Sequence, residues 1–182
     1  DWLNYRRYAP LRAPKNLQIR SKVQQLPADR EGQELLENIY RIFEPDPFRF
    51  EKCAAEIARL RMPSITQYEL TRPWRDGGRD ATGLFRIGKG EGSIDVEFAL
   101  EAKCYGESSG VGVSSTSRLI SRLRHRQFGV LVTTSYLSTQ AYNEVKEDGH
   151  PVVIITGADI VEVLREKIGS SAQILRWVNS IK

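Results

Sequence analysis

Glu101-Ala102-Lys103 places an acid and a lysine two residues apart, and a further acid, Asp80, precedes them by about one hairpin. Residues i and i+2 of a strand point to the same side of a sheet, so the Glu101 carboxylate and the Lys103 ammonium should share a face. The carboxylates of Asp80 and Glu101, with the Ala102 carbonyl, are a ligand set suited to Mg²⁺, for which Mn²⁺ can substitute. Such an ion polarises a phosphate and acidifies water, while Lys103 positions the water or stabilises the phosphate charge. The predicted chemistry is hydrolysis of a phosphodiester bond.

A Glu-x-Lys triplet is also what a surface ion pair on an exposed strand looks like, and such pairs contribute little to stability. Every second residue of 94–103 is apolar: Ile94, Val96, Phe98, Leu100 and Ala102. This alternation predicts an interior strand with one buried face rather than a charged edge ribbon. On spacing alone, the metal site and the ion pair both stay open.

Hydrophobic periodicity predicts the elements that carry these residues. We expect helices over residues 31–43, 48–61, 116–127, 138–147 and 172–181, and another that begins at Asp159. We expect strands over residues 65–70, 94–103, 130–134 and 152–155. The alternation of strands and helices after residue 94 predicts parallel crossovers and therefore an α/β fold.

Composition sets limits on location and on domain number. The chain has 182 residues, and its longest aliphatic run covers only residues 152–155, which is too short for a membrane span. No signal peptide or lipidation motif is evident, and Cys53 and Cys104 have no metal-ligand spacing, so a reducing cytoplasm is expected. The chain starts at Asp1 and its only methionine is Met62, which predicts a fragment or a processed product. Residues 1–29 are expected to be an N-terminal arm or linker, and residues 30–182 one domain.

The positive charge is concentrated in arginine. Nineteen of the 27 basic residues are Arg, and no acid occurs between residues 108 and 143. Arg118, Arg122 and Arg126 recur at i, i+4 and i+8, so a helix would present them as one ridge. Guanidinium groups are suited to phosphates, which favours DNA contact, although a solvated helix face has the same pattern.

Further segments extend the pattern around the acids. The segments are Asp76-Gly77-Gly78-Arg79-Asp80, Phe98-Ala99-Leu100-Glu101-Ala102-Lys103, Phe50-Glu51, residues 128–135 followed by Ala141, and residues 151–155 followed by Asp159-Ile160. Together they resemble the PD-(D/E)xK nuclease superfamily in its Mrr-like branch. Residues 71–75, 119–128 and 147–151 are similar to the cleavage domain of modification-dependent restriction endonucleases of the AspBHI type, relatives of MspJI. The resemblance covers about residues 30–168.

The resemblance implies a restriction-endonuclease-like core, with a central mixed sheet flanked by helices, that cuts double-stranded DNA in a prokaryotic cytoplasm. It implies that residues 30–182 are the endonuclease domain and that an N-terminal domain reading 5-methylcytosine is absent from this chain. It also implies Glu51 as a helix acid near the metal, with a solvated helix residue as the alternative. We place Arg75 with the DNA-binding arginines. MspJI-like members often carry Gln at the position of Glu101, so the Glu here restores a second anionic ligand.

The resemblance further implies that several cleavage domains act together, as a homo-oligomer. The last helix is a candidate contact surface through Ile174, Trp177, Val178 and Ile181, although an amphipathic helix of this kind more often packs on its own domain. Two alternatives for function are a noncatalytic DNA-binding or assembly module of the same fold and a junction-resolvase-like nuclease. An intact set of Asp80, Glu101 and Lys103 favours catalysis over the noncatalytic module.

Overall fold

The computed structural model of the chain describes residues 19–71, 80–123, 127–147, 149 and 151–181. The described helices are α1 (Lys22–Gln25), α2 (Arg30–Phe43), α3 (Pro47–Arg61), α4 (Val113–Ser121), α5 (Thr139–Glu147), α6 (Gly157–Lys167) and α7 (Ser171–Ser180). The described strands are β1 (Ile65–Leu70), β2 (Ala81–Ile87), β3 (Ile94–Lys103), β4 (Phe128–Thr133) and β5 (Val152–Ile155). A 3₁₀ turn, Gly90–Gly92, joins β2 to β3.

The five strands form one mixed sheet in the order β1-β2-β3-β4-β5. The first three are antiparallel neighbours, whereas β3, β4 and β5 run parallel. Helices connect the parallel strands, since a parallel pair needs a crossover. The predicted α/β fold, with a mixed sheet and parallel crossovers after residue 94, is confirmed.

Two apolar cores lie on opposite faces of the sheet. The larger core joins Leu100 and Val130 of the sheet to apolar residues of α2, α3, α6 and α7. The smaller core joins Ala99 and Leu131 to α4 and α5. Side chains alternate along a strand, so Glu101 and Lys103 belong to the face of Ala99, the face that α4 covers.

Most predicted elements agree with the structure to within a few residues. Strand β2 and the short helix α1 were not predicted, and the helix expected over 116–127 instead begins at Val113 and ends at Ser121. Helix α6 begins at Gly157 rather than at Asp159, because Asp159 is the third residue of a capping box whose N-cap is Thr156.

The apolar face of β3 is buried only in its second half. Ile94 is 61% exposed, whereas the residues from Phe98 to Ala102 are buried. The expectation of a continuously buried face is therefore wrong for the N-terminal half of β3. The central place of β3 in the sheet is confirmed.

The residues just ahead of α2 pack against the rest of the fold. Arg20 donates to Asp159 of α6 across 2.9 Å. The buried Gln25 side chain exchanges two hydrogen bonds with the backbone of Leu137, at 2.9 and 3.2 Å. Residues 1–18 lie outside the described part of the chain.

Helix α7 uses its apolar face within the domain. Ile174 and Val178 are fully buried, Ile181 is nearly so, and Trp177 packs against the same core. The candidate contact surface on this helix is therefore wrong, because its apolar stripe is already covered. None of the described helices is long and apolar enough to cross a membrane.

Candidate active site

Backbone pairing between β2 and β3 brings Asp80 to the Glu-x-Lys triplet. Ala81 pairs with Leu100, and the Asp80 N–H donates to the Leu100 carbonyl at 3.0 Å. The Asp80 carboxylate then accepts a hydrogen bond from the Ala102 N–H, with an Oδ2–N distance of 2.6 Å. The hairpin therefore fixes the acid beside the triplet.

Glu101 and Lys103 form an ion pair that is buried rather than on the surface. Glu101 is 1% exposed, and the Lys103 ammonium donates to its Oε1 at 2.7 Å and to the Ala102 carbonyl at 3.1 Å. Burial of a carboxylate is costly unless cations and donors compensate it. The alternative of an exposed surface ion pair, which the sequence left open, is therefore wrong.

Two arginines add positive charge to the same carboxylate. The terminal nitrogens of Arg118 and Arg122 lie 3.9 and 3.7 Å from the Glu101 oxygens. Glu101 Oε2 is buried and has no hydrogen-bond partner among the described residues. Arg122 therefore supplies a nearby positive charge to this oxygen, at 3.7 Å, without donating a hydrogen bond to it.

Burial raises the pKa of two acids at the site. Desolvation is the main cause for Asp80, whose pKa rises to about 6. The hydrogen bond from Ala102 lowers this pKa, and the negative charge of Glu101 raises it. Desolvation and the charge of Asp80 raise the pKa of Glu51 to about 7, while Lys103 opposes the shift. Both carboxyls therefore titrate close to neutral pH, as groups in active sites often do.

These groups line an open cleft of about 410 Å³ at the C-terminal end of β3. Helix α3 supplies Glu51, and the first turns of α4 supply Ser114, Ser115 and Arg118. The cleft is open to solvent, so a substrate can approach Asp80 and Lys103 from outside.

The structure brings together Asp80, Glu101, Lys103 and Glu51, the four predicted catalytic residues, with Ala102 between two of them. Arg118 and Arg122 both lie near Glu101, as part of the predicted ridge requires, but the continuous helix expected to carry that ridge is wrong because α4 ends at Ser121 with Arg122 as its C-cap. Arg75, Asp76 and Arg126 lie outside the described residues.

Sequence reasoning did not identify Ser114 and Ser115 as part of the cleft. The helix predicted over 116–127 begins after them, whereas in the structure they form the first turn of α4. A serine run after glycine carries no signal that separates a helix start from a loop.

The donor set suits a hard divalent cation. Within the described part of the chain, no three His, Cys, Asp or Glu residues group as a metal site. Mg²⁺ typically needs only one or two carboxylates and keeps several waters. Asp80, Glu101 and the Ala102 carbonyl supply that number, and the Lys103 ammonium shows that oxygens of Glu101 and Ala102 can hold one cation together. The residues present therefore fit Mg²⁺.

The family comparison agrees with this geometry. The model of the Mrr catalytic domain, described as a restriction endonuclease, matches residues 43–164, a span that contains Glu51, Asp80, Glu101 and Lys103. The chain belongs to the Mrr family of restriction endonucleases. Its members act as nucleases on DNA, so the resemblance inferred from the motifs is confirmed.

Two solved structures share the fold of this Mrr domain. The DNA modification-dependent restriction endonuclease AspBHI is 51% identical, with a TM-score of 0.85, over 99% of this chain and 47% of AspBHI. The MspJI restriction endonuclease, solved in complex with a 27-mer oligonucleotide, is 28% identical with a TM-score of 0.76, over 89% of this chain and 38% of MspJI. The chain spans less than half of either relative. A comparison with curated proteins gives no match.

Proposed function

We propose that this Mrr domain is the Mg²⁺-dependent cleavage domain of a modification-dependent restriction enzyme, and that it hydrolyses phosphodiester bonds of double-stranded DNA. The observation that carries the proposal is that Asp80 and Lys103 line one open cleft at the end of β3, with the buried Glu101 carboxylate 2.7 Å from the Lys103 ammonium. The likeness to MspJI, which was solved with an oligonucleotide, supports DNA as the substrate.

Asp80, Glu101 and the Ala102 carbonyl would hold the cation, which supplies polarisation of the phosphate and a more acidic water when bound. Lys103 contributes donors that orient water and stabilise negative charge on the phosphate. Glu51, whose pKa is about 7, is suited to accept or hold a proton near neutral pH. Each role uses a group that faces the same cleft.

Arg118 is the described arginine best placed to hold the DNA backbone. It lines the cleft, its side chain is 52% exposed, and it follows Ser114 and Ser115 on the same helix. Contacts of this kind position a phosphate without reading a base. We expect the domain to bind DNA through phosphates and to have no sequence preference of its own.

Selection of the modified base then needs another part of the protein. We propose an N-terminal domain that reads 5-methylcytosine, in keeping with the modification dependence of AspBHI and with the larger size of both relatives. Such a division of labour lets the reader supply specificity and this domain supply hydrolysis.

The decisive experiment is a plasmid cleavage assay with the protein that contains this chain. The substrate is supercoiled DNA with or without 5-methylcytosine, in Mg²⁺, in Mn²⁺, or in EDTA. We expect cleavage only with a divalent cation and only of methylated DNA, and an Asp80→Asn protein purified alongside should be inactive. Cleavage in EDTA would contradict the metal site, and preferential cutting of a branched, unmethylated junction would favour the resolvase alternative.

A further inference from the structure

The Lys103 ammonium donates to two oxygens of β3, one in the Glu101 side chain and one in the Ala102 main chain. Its distances are 2.7 Å to Glu101 Oε1 and 3.1 Å to the Ala102 carbonyl oxygen. A carboxylate oxygen and a main-chain carbonyl are also the ligands that Mg²⁺ and Mn²⁺ prefer. The positively charged Lys103 ammonium therefore occupies a point that two hard oxygen ligands share.

This arrangement satisfies a buried charge. The Glu101 side chain is 2% exposed and that of Lys103 is 17% exposed, so water does little to stabilise either group. Arg118 and Arg122 approach Glu101 no closer than 3.9 and 3.7 Å. Lys103 is therefore the cation in closest contact with Glu101 among the described residues, and removing it would leave a carboxylate with weakly placed partners.

We propose that the Lys103 ammonium marks the position of the divalent cation and occupies it in the metal-free protein. The cation and the ammonium then compete for Glu101 Oε1 and the Ala102 carbonyl oxygen, so only one of them holds both oxygens at a time. The inference rests on the proposed metal-dependent function and adds to it the identity of the ligand atoms and of the resident competitor.

Competition of this kind links the two roles of Lys103. While the ammonium donates to Glu101 and Ala102, fewer of its three donors are available to a water or a phosphate. Lys103 already lines the cleft together with Asp80 and Arg118, so a divalent cation that takes those oxygens would release its donors to the substrate. All three donors of the lysine are therefore free for the substrate only when the cation is in place.

Mn²⁺ affinity separates this competition from general charge effects. We would measure Mn²⁺ binding without DNA, by calorimetry, for the wild-type protein, Lys103→Met and Arg118→Met. Each variant removes one positive charge near Glu101, but only Lys103 contacts both oxygens. Lys103→Met should bind Mn²⁺ about tenfold more tightly than the wild type, a coupling of ordinary size, and Arg118→Met should gain clearly less.

Equal gains in the two variants, or no gain in Lys103→Met, would overturn the inference while leaving the metal site intact. Absence of Mn²⁺ binding in all three proteins, each checked for folding by circular dichroism, would instead contradict the proposed function, and the inference with it. Crystals of the wild-type protein grown with Mn²⁺ give a test that needs no variant. The anomalous peak should lie against Glu101 Oε1 and the Ala102 oxygen with Lys103 moved away, and a peak with both lysine contacts kept would overturn the inference.

Discussion

The carboxylate of Asp80 accepts a hydrogen bond from the Ala102 N–H, with an Oδ2–N distance of 2.6 Å. The acid that precedes β2 is therefore attached to the middle residue of the Glu-x-Lys triplet on β3, twenty-two residues away. A bond to the backbone keeps its place when the side chains around it change. It explains how two acids far apart in sequence come to lie beside each other.

Asp80→Asn should abolish cleavage while the fold and DNA binding persist. The Asn oxygen can still accept from the Ala102 N–H, so the variant removes the negative charge and keeps the geometry. Loss of one of two carboxylate ligands should lower the cleavage rate by about a hundredfold or more. Plasmid nicking measures the rate, and a gel-shift assay in Ca²⁺ measures binding.

Glu101→Gln is the companion variant, because MspJI-like relatives often carry Gln at this position. We expect a smaller loss of cleavage than in Asp80→Asn, with Mn²⁺ restoring more activity than Mg²⁺. Wild-type cleavage by Asp80→Asn would refute the assignment of the metal site to this pair.

Cleavage and cation binding should both depend on pH between 6 and 7. The pKa of Asp80 is raised to about 6 and that of Glu51 to about 7, from ordinary values of 3.8 and 4.5. Below these values the carboxyls hold protons that a cation must displace, so affinity and rate fall as the pH is lowered. Calorimetry of Mn²⁺ binding in buffers of different ionisation enthalpy should detect proton release at pH 6 and little at pH 8.

Glu51→Gln tests which acid sets the upper limit of this range. The variant removes the group with the higher pKa, so its proton release should be smaller and its rate profile should change nearer pH 6. An unchanged profile in Glu51→Gln would show that Glu51 does not face the reacting groups.

Salt should weaken DNA binding steeply, and Arg118 should account for part of that slope. Each phosphate contact releases counterions, so loss of one contact lowers the slope of log affinity against log salt by about 1. Arg118→Ala should show this change on methylated and unmethylated DNA alike. Arg86→Ala is a matched control, because its side chain is 49% exposed against 52% for Arg118, and it pairs with Asp95 near the opposite end of β3.

Gly83 should be essential to the packing of the β2–β3 hairpin. A Cβ at this position would lie 2.6 Å from the Phe98 ring and 2.5 Å from the Gln67 carbonyl oxygen. Gly83→Ala should therefore lower the free energy of unfolding by about 1–3 kcal/mol, as overpacking does. Gly92→Ala, with no atom within 4 Å of its Cβ, should leave the urea midpoint nearly unchanged.

The same glycine explains why β2 could not be predicted from sequence, whereas β3 could. Glycine weakens the strand pattern of residues 81–87, and the reason for Gly83 is a ring from another strand, which no local pattern contains. The ten-residue alternation of β3 needs no such context. A strand can be predicted from sequence where its own side chains alternate, without contacts from other strands.

The candidate site was predictable as a set of residue types but not in its electrostatics. The motif identifies Asp80, Glu101 and Lys103, since their spacing is local or within a hairpin. The approach of Arg118 and Arg122 to Glu101 depends on where α4 ends. Local sequence specifies the ends of helices only weakly. An i, i+4, i+8 ridge assumes a continuous helix, and the end of α4 at Ser121 breaks that assumption.

Cutting both strands of a duplex should need two copies of this domain. Asp80, Glu101 and Lys103 form one set at one cleft, and one such set would attack one phosphate at a time. The rate of double-strand breakage should therefore rise more steeply than linearly with protein concentration, with nicked circles accumulating at low concentration.

Mixing the wild type with a tenfold excess of Asp80→Asn protein provides the control. Mixed assemblies hold one active cleft, so nicked product should increase at the expense of linear product. A linear product formed in first-order proportion to protein, unaffected by the inactive variant, would show that one copy cuts both strands.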